Sequence, residues 1–170
     1  MDFGCGPGAS SIALGKHFSK CEIVAFDCDE RSIKLAMESK GDVPNVEFRC
    51  QEIFDLVFES CVMENKFSLV TFFHCLHDLK YPTKALKMAH KILETDGKVL
   101  VLEQRAQDEF CPDAKHEFMQ VALSVLHCLP CSRAAYGDEP GEDIGNPFRM
   151  AKLRQTAENA GFHKVFIFYF

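Results

Sequence analysis

The sequence predicts an α/β fold, a doubly wound and mostly parallel sheet with helices on both faces. Short apolar runs, rich in β-branched and aromatic residues, alternate with segments of helical periodicity along the whole chain. Most of these runs lack polar alternation, as expected of strands that are buried on both faces. Since 47% of the 170 residues are hydrophobic, residues 1–170 are predicted to form one domain around one core.

Six strands are predicted from the apolar runs. They are Asp2-Phe3 and residues 22–27, 46–50, 67–73, 98–104 and 164–170.

Three helices between these strands have recognisable ends. Asp29 is predicted to cap a helix to about Lys40, with Ile33, Ala36 and Met37 on one face and Gly41 as its stop. Pro82 begins the second, whose Leu86, Ala89 and Leu93 face the sheet before Asp96-Gly97 turns the chain. Asn146-Pro147 begins the third, which ends at Gly161.

Residues 105–145 interrupt the alternation. They follow the fifth predicted strand, contain an amphipathic helix at about 112–127, and continue into the loop "GDEPGEDIG". Loops of this length in compact domains are usually functional or disordered. A helical lid inserted after the fifth strand is therefore predicted, covering the strand ends.

The composition disfavours several classes of partner. The net charge is −6 and no run of Lys and Arg occurs, which argues against nucleic acid and anionic membranes. There is no apolar run of the roughly 18 residues that a membrane span needs, and the first residues do not resemble a signal peptide. A soluble, cytoplasmic protein is expected, and the sequence does not predict its oligomeric state.

Nine cysteines are scattered among ordinary strand and helix patterns, which predicts reduced thiols that fill core space. The closest pair, Cys128 and Cys131, leaves redox or metal chemistry open because His116 and His127 are near in sequence. A single C-x-x-C without a second pair is weak evidence for zinc. No metal site and no disulfide are predicted.

The stretch "DFGCGPG" places Gly4, Gly6 and Gly8 at every second position, where the backbone can turn sharply and approach a ligand. Gly4-x-Gly6-x-x-Ala9 also satisfies the dinucleotide fingerprint, so a nicotinamide or flavin cofactor must be weighed. Asp27, about 20 residues on, would receive ribose hydroxyls in either case. Asp2 before the loop and Pro7 within it favour a cofactor without a pyrophosphate.

The strings "DFGCGPG", "AFDCD", "FFHCLHDL" and "LETDGKVLVLEQ", in this order, closely resemble class I S-adenosylmethionine-dependent methyltransferases, which have a Rossmann-like fold. The resemblance implies S-adenosylmethionine as cofactor and a small-molecule methyl acceptor as partner. It implies that Asp27 binds the ribose and that Cys28, Glu52 and Ile53 border the adenine. It implies that the methionine half is lined by Asp2, Gly4, Cys5, Gly6, Phe73 and His74, with Leu76 near the methyl group.

The C-terminal strings "VLHCLPCS" and "GEDIGNPFRMAKLRQTAENAGF" resemble a subgroup whose longer members carry an N-terminal winged-helix-like domain. This implies that Phe118, Met119, His127 and Cys128 form the wall of the substrate pocket. Ordinary helix packing is the alternative for each of them.

His77 and His74 are candidate general bases, because a histidine at the end of a strand can take a proton from a hydroxyl or amine acceptor. Glu103, at the end of the fifth predicted strand, could orient the acceptor or only cap that strand. Methyl transfer is an in-line displacement that depends mainly on alignment and exclusion of water, so a base is optional.

The family usually has four or five apolar residues before the acidic residue placed at Asp2, and a seventh strand at the end. The sequence is therefore expected to be truncated at both ends. The favoured function is S-adenosylmethionine-dependent methyl transfer to a small molecule. A catalytically idle cofactor-binding or regulatory module and an NAD-dependent oxidoreductase are the alternatives.

Overall fold

A computed structural model describes residues 1–55, 66–103, 118, 122, 141–142 and 149–168. The strands are β1 (Asp2–Phe3), β2 (Ile23–Asp27), β3 (Val46–Cys50), β4 (Phe67–Phe73) and β5 (Leu93–Leu102). The helices are α1 (Ala9–His17), α2 (Glu30–Ser39), α3 (Pro82–Ile92) and α4 (Met150–Asn159), with a 3₁₀ turn at Leu76–Asp78. The strands form one parallel sheet in the order β3-β2-β1-β4-β5. The predicted parallel α/β architecture is confirmed.

Strand β1 is two residues long and lies at the centre of the sheet. Asp2 is in register with Ala25 of β2 and with Thr71 of β4. The ring of Phe3 lies between those of Phe26 and Phe72, at centroid distances of 5.7 and 5.3 Å. Aromatic packing therefore supplements the few backbone hydrogen bonds that so short a strand can make.

Helix α2 begins and ends where the sequence predicts. The Asp29 carboxylate accepts the Ser32 N–H at 2.9 Å, and Gly41 adopts a left-handed conformation (φ 55°) after the helix. Ile33 and Ala36 are buried in the cluster between the helices and the sheet. The prediction for Met37 is wrong, because its side chain is 56% exposed and the buried stripe lies on the Ile33–Ala36 side of the helix.

Strand β5 begins earlier than predicted. It starts at Leu93, directly after α3, and its register with β4 shifts between the pairs Phe67–Leu93 and Leu69–Lys98. The predicted turn at Asp96-Gly97 lies within this irregular stretch. Leu86 and Ala89 of α3 are buried, as the helical periodicity predicts.

The predicted sixth strand at 164–170 is wrong for residues 164–168, which form no strand in the structure. The alternation of aromatic and aliphatic residues is typical of a strand, but a strand also needs a neighbour to pair with. Among the described residues, none pairs with this segment, and Phe166 and Phe168 are 76% and 73% exposed. Helix α4 precedes it, and the predicted helix start at Asn146-Pro147 lies outside the described residues.

The chain divides into two compact units. The first comprises residues 1–75 and 88–102 and contains the sheet. The second comprises residues 76–87 and 103–170 and contains the 3₁₀ turn and α4. Most of the predicted lid at 105–145 lies outside the described residues, so it stays a prediction, as does the single domain. In the part of the chain that the structure describes, no helix is long and apolar enough to cross a membrane.

Candidate cofactor and catalytic site

The glycine loop follows β1 and contains three left-handed residues, Gly4 (φ 63°), Gly6 (φ 52°) and Gly8 (φ 81°). A Cβ on Gly4 would lie 2.5 Å from the Cβ of Cys75, and one on Gly8 would lie 2.6 Å from the Phe48 ring. These two glycines are required for packing. A Cβ on Gly6 would meet no described atom within 4 Å. Gly6 therefore borders open space that a ligand could fill.

Asp27 ends β2 beside this loop. Its Oδ2 accepts the Gly6 N–H at 2.7 Å, and its Oδ1 accepts the Asp29 N–H at 2.9 Å. The carboxylate is half-buried. Both oxygens are thus oriented by backbone donors, and each retains a lone pair for further hydrogen bonds.

Asp2 is 1% exposed and lies under the loop. Its Oδ1 accepts the Thr71 hydroxyl at 2.6 Å, while its Oδ2 accepts the hydroxyls of Ser11 at 2.5 Å and Ser10 at 3.1 Å. A buried carboxylate is costly unless it is hydrogen-bonded, and these three donors meet that need. Asp2 therefore joins β4 to the first turn of α1 and fixes the base of the loop.

Cysteines surround the same loop in two environments. Cys5 is buried, and that burial, with the nearby charges of Asp27 and Asp2, raises the pKa of its thiol to about 12. Cys28 follows Asp27 after the end of β2 and is exposed. Desolvation of its sulfur, then the charges of Glu52 and Asp27, raise its pKa. Both thiols therefore stay protonated at neutral pH and act as neutral walls of the loop region.

The predicted role of cysteines as core filling is correct for Cys5. It is wrong for Cys21, Cys28 and Cys50, which are exposed. Cys50 ends β3, and its thiol approaches the Cys28 carbonyl oxygen at 3.7 Å. Strand ends at the edge of a parallel sheet leave side chains accessible, which periodicity alone does not reveal.

Glu52 and Ile53 follow β3, as predicted. Glu52 is half-buried and Ile53 is 7% exposed. The charge of Glu52 contributes to the raised pKa of the Cys28 thiol. Glu52 and Ile53 thus place an acidic group and an apolar side chain next to each other after β3, and their predicted contact with an adenine stays a prediction.

His74 follows β4 in the left-handed region at φ 53°, which is unusual for a residue other than glycine. Its N–H donates to the Leu102 carbonyl at 2.9 Å, and the next residue, Cys75, donates its thiol to the Phe3 carbonyl at 3.0 Å. Phe73 is half-buried. Strained backbone that is held by its surroundings often occurs at ligand sites.

The second unit contains a histidine–carboxylate pair. His77 Nδ1 lies 2.6 Å from Glu103 Oε2, and the His77 N–H donates to Glu103 Oε1 at 3.2 Å. The side chains of His77 and Glu103 are 10% and 5% exposed, and Asp78 Oδ1 lies 3.4 Å from His77 Nε2. Burial lowers the pKa of His77, but the hydrogen bond and charge of Glu103, with the charge of Asp78, outweigh it, so the pKa is raised.

The shorter of the two carboxylate contacts favours a proton on His77 Nδ1, because a carboxylate only accepts hydrogen bonds. Nε2, which lies 3.4 Å from Asp78 Oδ1, is then the nitrogen that can take up or release a proton. Glu103, predicted to orient the acceptor or to cap the fifth strand, contacts His77 directly, and its role toward an acceptor stays a prediction.

The residues predicted for the substrate wall are mostly outside the described residues. Phe118 is helical and 70% exposed. Met119, His127, Cys128 and Cys131 are not among the described residues, so their predicted roles stay predictions. Within the described ranges, no group of three or more His, Cys, Asp or Glu residues could hold a metal ion.

A family model described as a methyltransferase domain matches residues 1–161. The chain belongs to this methyltransferase-domain family. Its cofactor is S-adenosylmethionine.

Similar proteins agree with this assignment. A protein of Aspergillus luteorubrus named "Probable methyltransferase ltbC" is 25% identical over 98% of this chain, and the chain spans 59% of that protein's length. Among solved structures, a "putative methyltransferase" of Bacillus halodurans C-125 is 19% identical and superimposes with a TM-score of 0.67. The match covers 95% of this chain and 61% of the Bacillus halodurans chain. An S-adenosylmethionine-dependent methyltransferase of Mesorhizobium loti is 17% identical, with a TM-score of 0.50, and the match covers 61% of this chain and 45% of the Mesorhizobium loti chain. The two structures show the shared fold.

The loop region of this methyltransferase domain fits the cofactor. Gly6 borders open space, Asp27 offers two oriented oxygens, and Ile53 offers an apolar surface, all in the first unit. The sequence did not reveal the buried hydroxyls that hold Asp2. Ser10 and Ser11 were recognisable as polar residues at the start of a helix, but their contact with Asp2 depends on the fold of the loop.

Proposed function

We propose that this methyltransferase domain binds S-adenosylmethionine in the first unit and transfers its methyl group to a small-molecule acceptor. The observation that supports this most is the carboxylate of Asp27, which lies at the end of β2 and is held by the N–H of the open glycine Gly6. The acidic net charge of −6 argues against a nucleic acid as acceptor. A cytoplasmic location belongs to the same proposal.

Each part of the cofactor has candidate partners. Asp27 would accept hydrogen bonds from the ribose hydroxyls, with its two oxygens already oriented by backbone N–H groups. The adenine would lie among Cys28, Glu52 and Ile53. The methionine half would lie along the loop and the end of β4, near Gly4, Cys5, Gly6, Phe73 and His74. Asp2 would act from beneath by fixing the loop, because its oxygens are occupied by three hydroxyls.

S-adenosylmethionine, when bound, supplies an electrophilic methyl group. The residues of this chain align the reactants and handle the acceptor's proton. His77 takes that proton at Nε2, because Nδ1 is occupied by Glu103. Glu103 acts through His77 and stabilises its protonated form, as the raised pKa of His77 reflects. His74 is the second candidate, held at the end of β4 by Leu102.

Calorimetry with S-adenosylhomocysteine, NAD and NADP tests the cofactor. S-adenosylhomocysteine should bind, and Asp27→Ala should weaken it by at least about tenfold, since a hydrogen bond to a charged group contributes roughly 1.5–3 kcal/mol. Glu38→Ala, on the exposed face of α2, is the control and should leave the affinity unchanged. Tight NAD binding with no response to S-adenosylhomocysteine would refute the proposal in favour of an oxidoreductase.

Turnover must be measured separately from binding. Methyl transfer from labelled S-adenosylmethionine to a panel of small phenols, amines and thiols should label at least one acceptor, and His77→Ala should reduce the rate. Cofactor binding without transfer to any of them would favour the alternative, a catalytically idle binding module.

A further inference from the structure

Glu142 makes two hydrogen bonds to the segment that contains His77. Its N–H donates to the Lys80 carbonyl at 2.8 Å, and its Oε2 accepts the Thr83 N–H at 3.1 Å. Thr83 is the second residue of α3. The amides of the first helical turn have no partner within the helix, and α3 has no acidic residue of its own there. Glu142 therefore caps α3 from a distant part of the sequence.

Gly141 allows this approach. A Cβ at this position would lie 2.7 Å from the Lys80 carbonyl oxygen and 2.8 Å from the Lys80 Cγ. A contact at that distance with a backbone oxygen cannot be relieved by rotating a side chain. The backbone of residues 141–142 is thus fitted closely to the backbone at Lys80, and any larger residue at 141 would force the two apart.

Glu103 holds the other end of the same segment. It contacts both the backbone N–H and the ring Nδ1 of His77, while Leu79 closes the short turn by donating to the Leu76 carbonyl at 3.3 Å. Leu76 is fully buried. Residues 76–83 are therefore fixed at His77 by one glutamate and at Lys80 and Thr83 by another, all within the second unit.

We infer that Glu142 is a positioning residue for His77, holding the segment 76–83 in the conformation that keeps the His77–Glu103 contact. A displacement at Lys80 reaches His77 through two intervening residues. The contact between His77 Nδ1 and Glu103 is 2.6 Å long and would weaken if the backbone moved. The role of His77 as a base belongs to the proposed function, but its placement by Glu142 can be measured without turnover.

The experiment compares Glu142→Ala with Glu142→Gln and the unmodified chain by NMR. In Glu142→Ala, amide exchange at Thr83 should become roughly fivefold faster, as expected for loss of a helix cap. The pKa of His77, read from its ring resonances, should fall, because its hold on Glu103 loosens. Glu142→Gln keeps an acceptor for Thr83 and should restore both values toward those of the unmodified chain. Glu158→Ala, on exposed α4 in the same unit, is the control and should change neither.

Gly141→Ala provides an independent perturbation, since it displaces the backbone at residues 141–142 without changing the Glu142 side chain chemically. It should lower the pKa of His77 in the same direction. If Glu142→Ala does not fold, Glu142→Asp replaces it, because its carboxylate is one methylene further from Thr83. Glu142→Asp should also speed exchange at Thr83 and lower the pKa of His77, and an unchanged pKa would again overturn the inference.

An unchanged His77 titration together with faster Thr83 exchange would overturn the inference and leave Glu142 as a helix cap alone. Unchanged Thr83 exchange would overturn it as well, because the contact itself would be absent. Binding of S-adenosylhomocysteine separates these outcomes from a failure of the proposed function. It should be retained in the Glu142 variants, whereas its absence in the unmodified chain would refute the cofactor assignment and leave the His77 measurements valid.

Discussion

Two glycines of this chain form a matched pair for locating the cofactor. Gly6 and Gly41 have nearly the same left-handed backbone, φ 52° and 55°, and a Cβ on either would meet no described atom within 4 Å. Gly6 lies in the loop beside Asp27, while Gly41 follows α2. Alanine at either position should therefore cause the same backbone strain, and only alanine at Gly6 should obstruct a ligand in the loop.

The magnitudes follow from this geometry. A left-handed alanine costs roughly 1–2 kcal/mol, so both variants should lower the free energy of unfolding by about that amount. For a chain of this size the melting temperature should fall by about 2–8 °C in each. A methyl group in the space above Gly6 should weaken S-adenosylhomocysteine binding by at least about tenfold, or about 1.4 kcal/mol. Gly41→Ala should leave the affinity unchanged.

The assay combines thermal or urea unfolding with calorimetry on the same two proteins. Equal affinity for S-adenosylhomocysteine in both variants would show that the ligand does not lie against Gly6. A much larger loss of stability in Gly6→Ala than in Gly41→Ala would show that the space at Gly6 is not open. Gly8→Ala completes the series and should destabilise far more than either, because its Cβ would overlap the Phe48 ring.

Further predictions concern the contacts around the site. Thr71→Val should cost roughly 1.5–3 kcal/mol in urea unfolding, because buried Asp2 loses one donor, and Thr71→Ser should recover most of it. Asp29→Ala should cost about 0.5–2 kcal/mol through loss of the α2 cap, measured in the same way. Glu103→Gln should lower the pKa of His77 and so shift the acidic limb of the pH–rate profile to lower pH. An acidic limb at the same pH in both proteins would show that His77 is not the base. The pKa of His77 is raised in the folded state, so the His77–Glu103 pair should stabilise the fold at acidic pH and lose this contribution as pH rises through the folded-state pKa. The free energies of unfolding of Glu103→Gln and of the unmodified chain, compared across pH, measure this contribution.

Local patterns predicted those features that depend on neighbouring residues. The glycine loop, the position of Asp27 at a strand end and the Asp29 cap all follow from short stretches of sequence, and each is seen in the structure. The confirmed strands β2 to β4 are similar cases, because a short run rich in apolar residues between turn residues suffices to define a buried strand.

Features that depend on distant partners were not predicted. The hydroxyl of Thr71 reaches Asp2 because β1 and β4 are adjacent and in register, which no local pattern encodes. The segment 164–168 has a strand-like composition but lacks a pairing partner among the described residues. The contact of Glu142 with Thr83 joins residues far apart in sequence, and a glutamate in a loop gives no sign of the helix that it caps.

The contacts of the glycine loop give a bound ligand a second part to play. Gly6 donates to Asp27 at the end of β2, Gly8 lies against Phe48 of β3 and Gly4 lies against Cys75 after β4, so whatever holds this loop also holds three strands of the sheet. A ligand bound to that loop would stabilise the folded state by about 2.7 kcal/mol at a concentration one hundred times its Kd. In a cell, where the unfolded fraction is continuously degraded, a change of that size alters protein abundance several-fold. The amount of this protein would then follow the supply of S-adenosylmethionine, so that the pool of methyl donor would set how much of the protein persists.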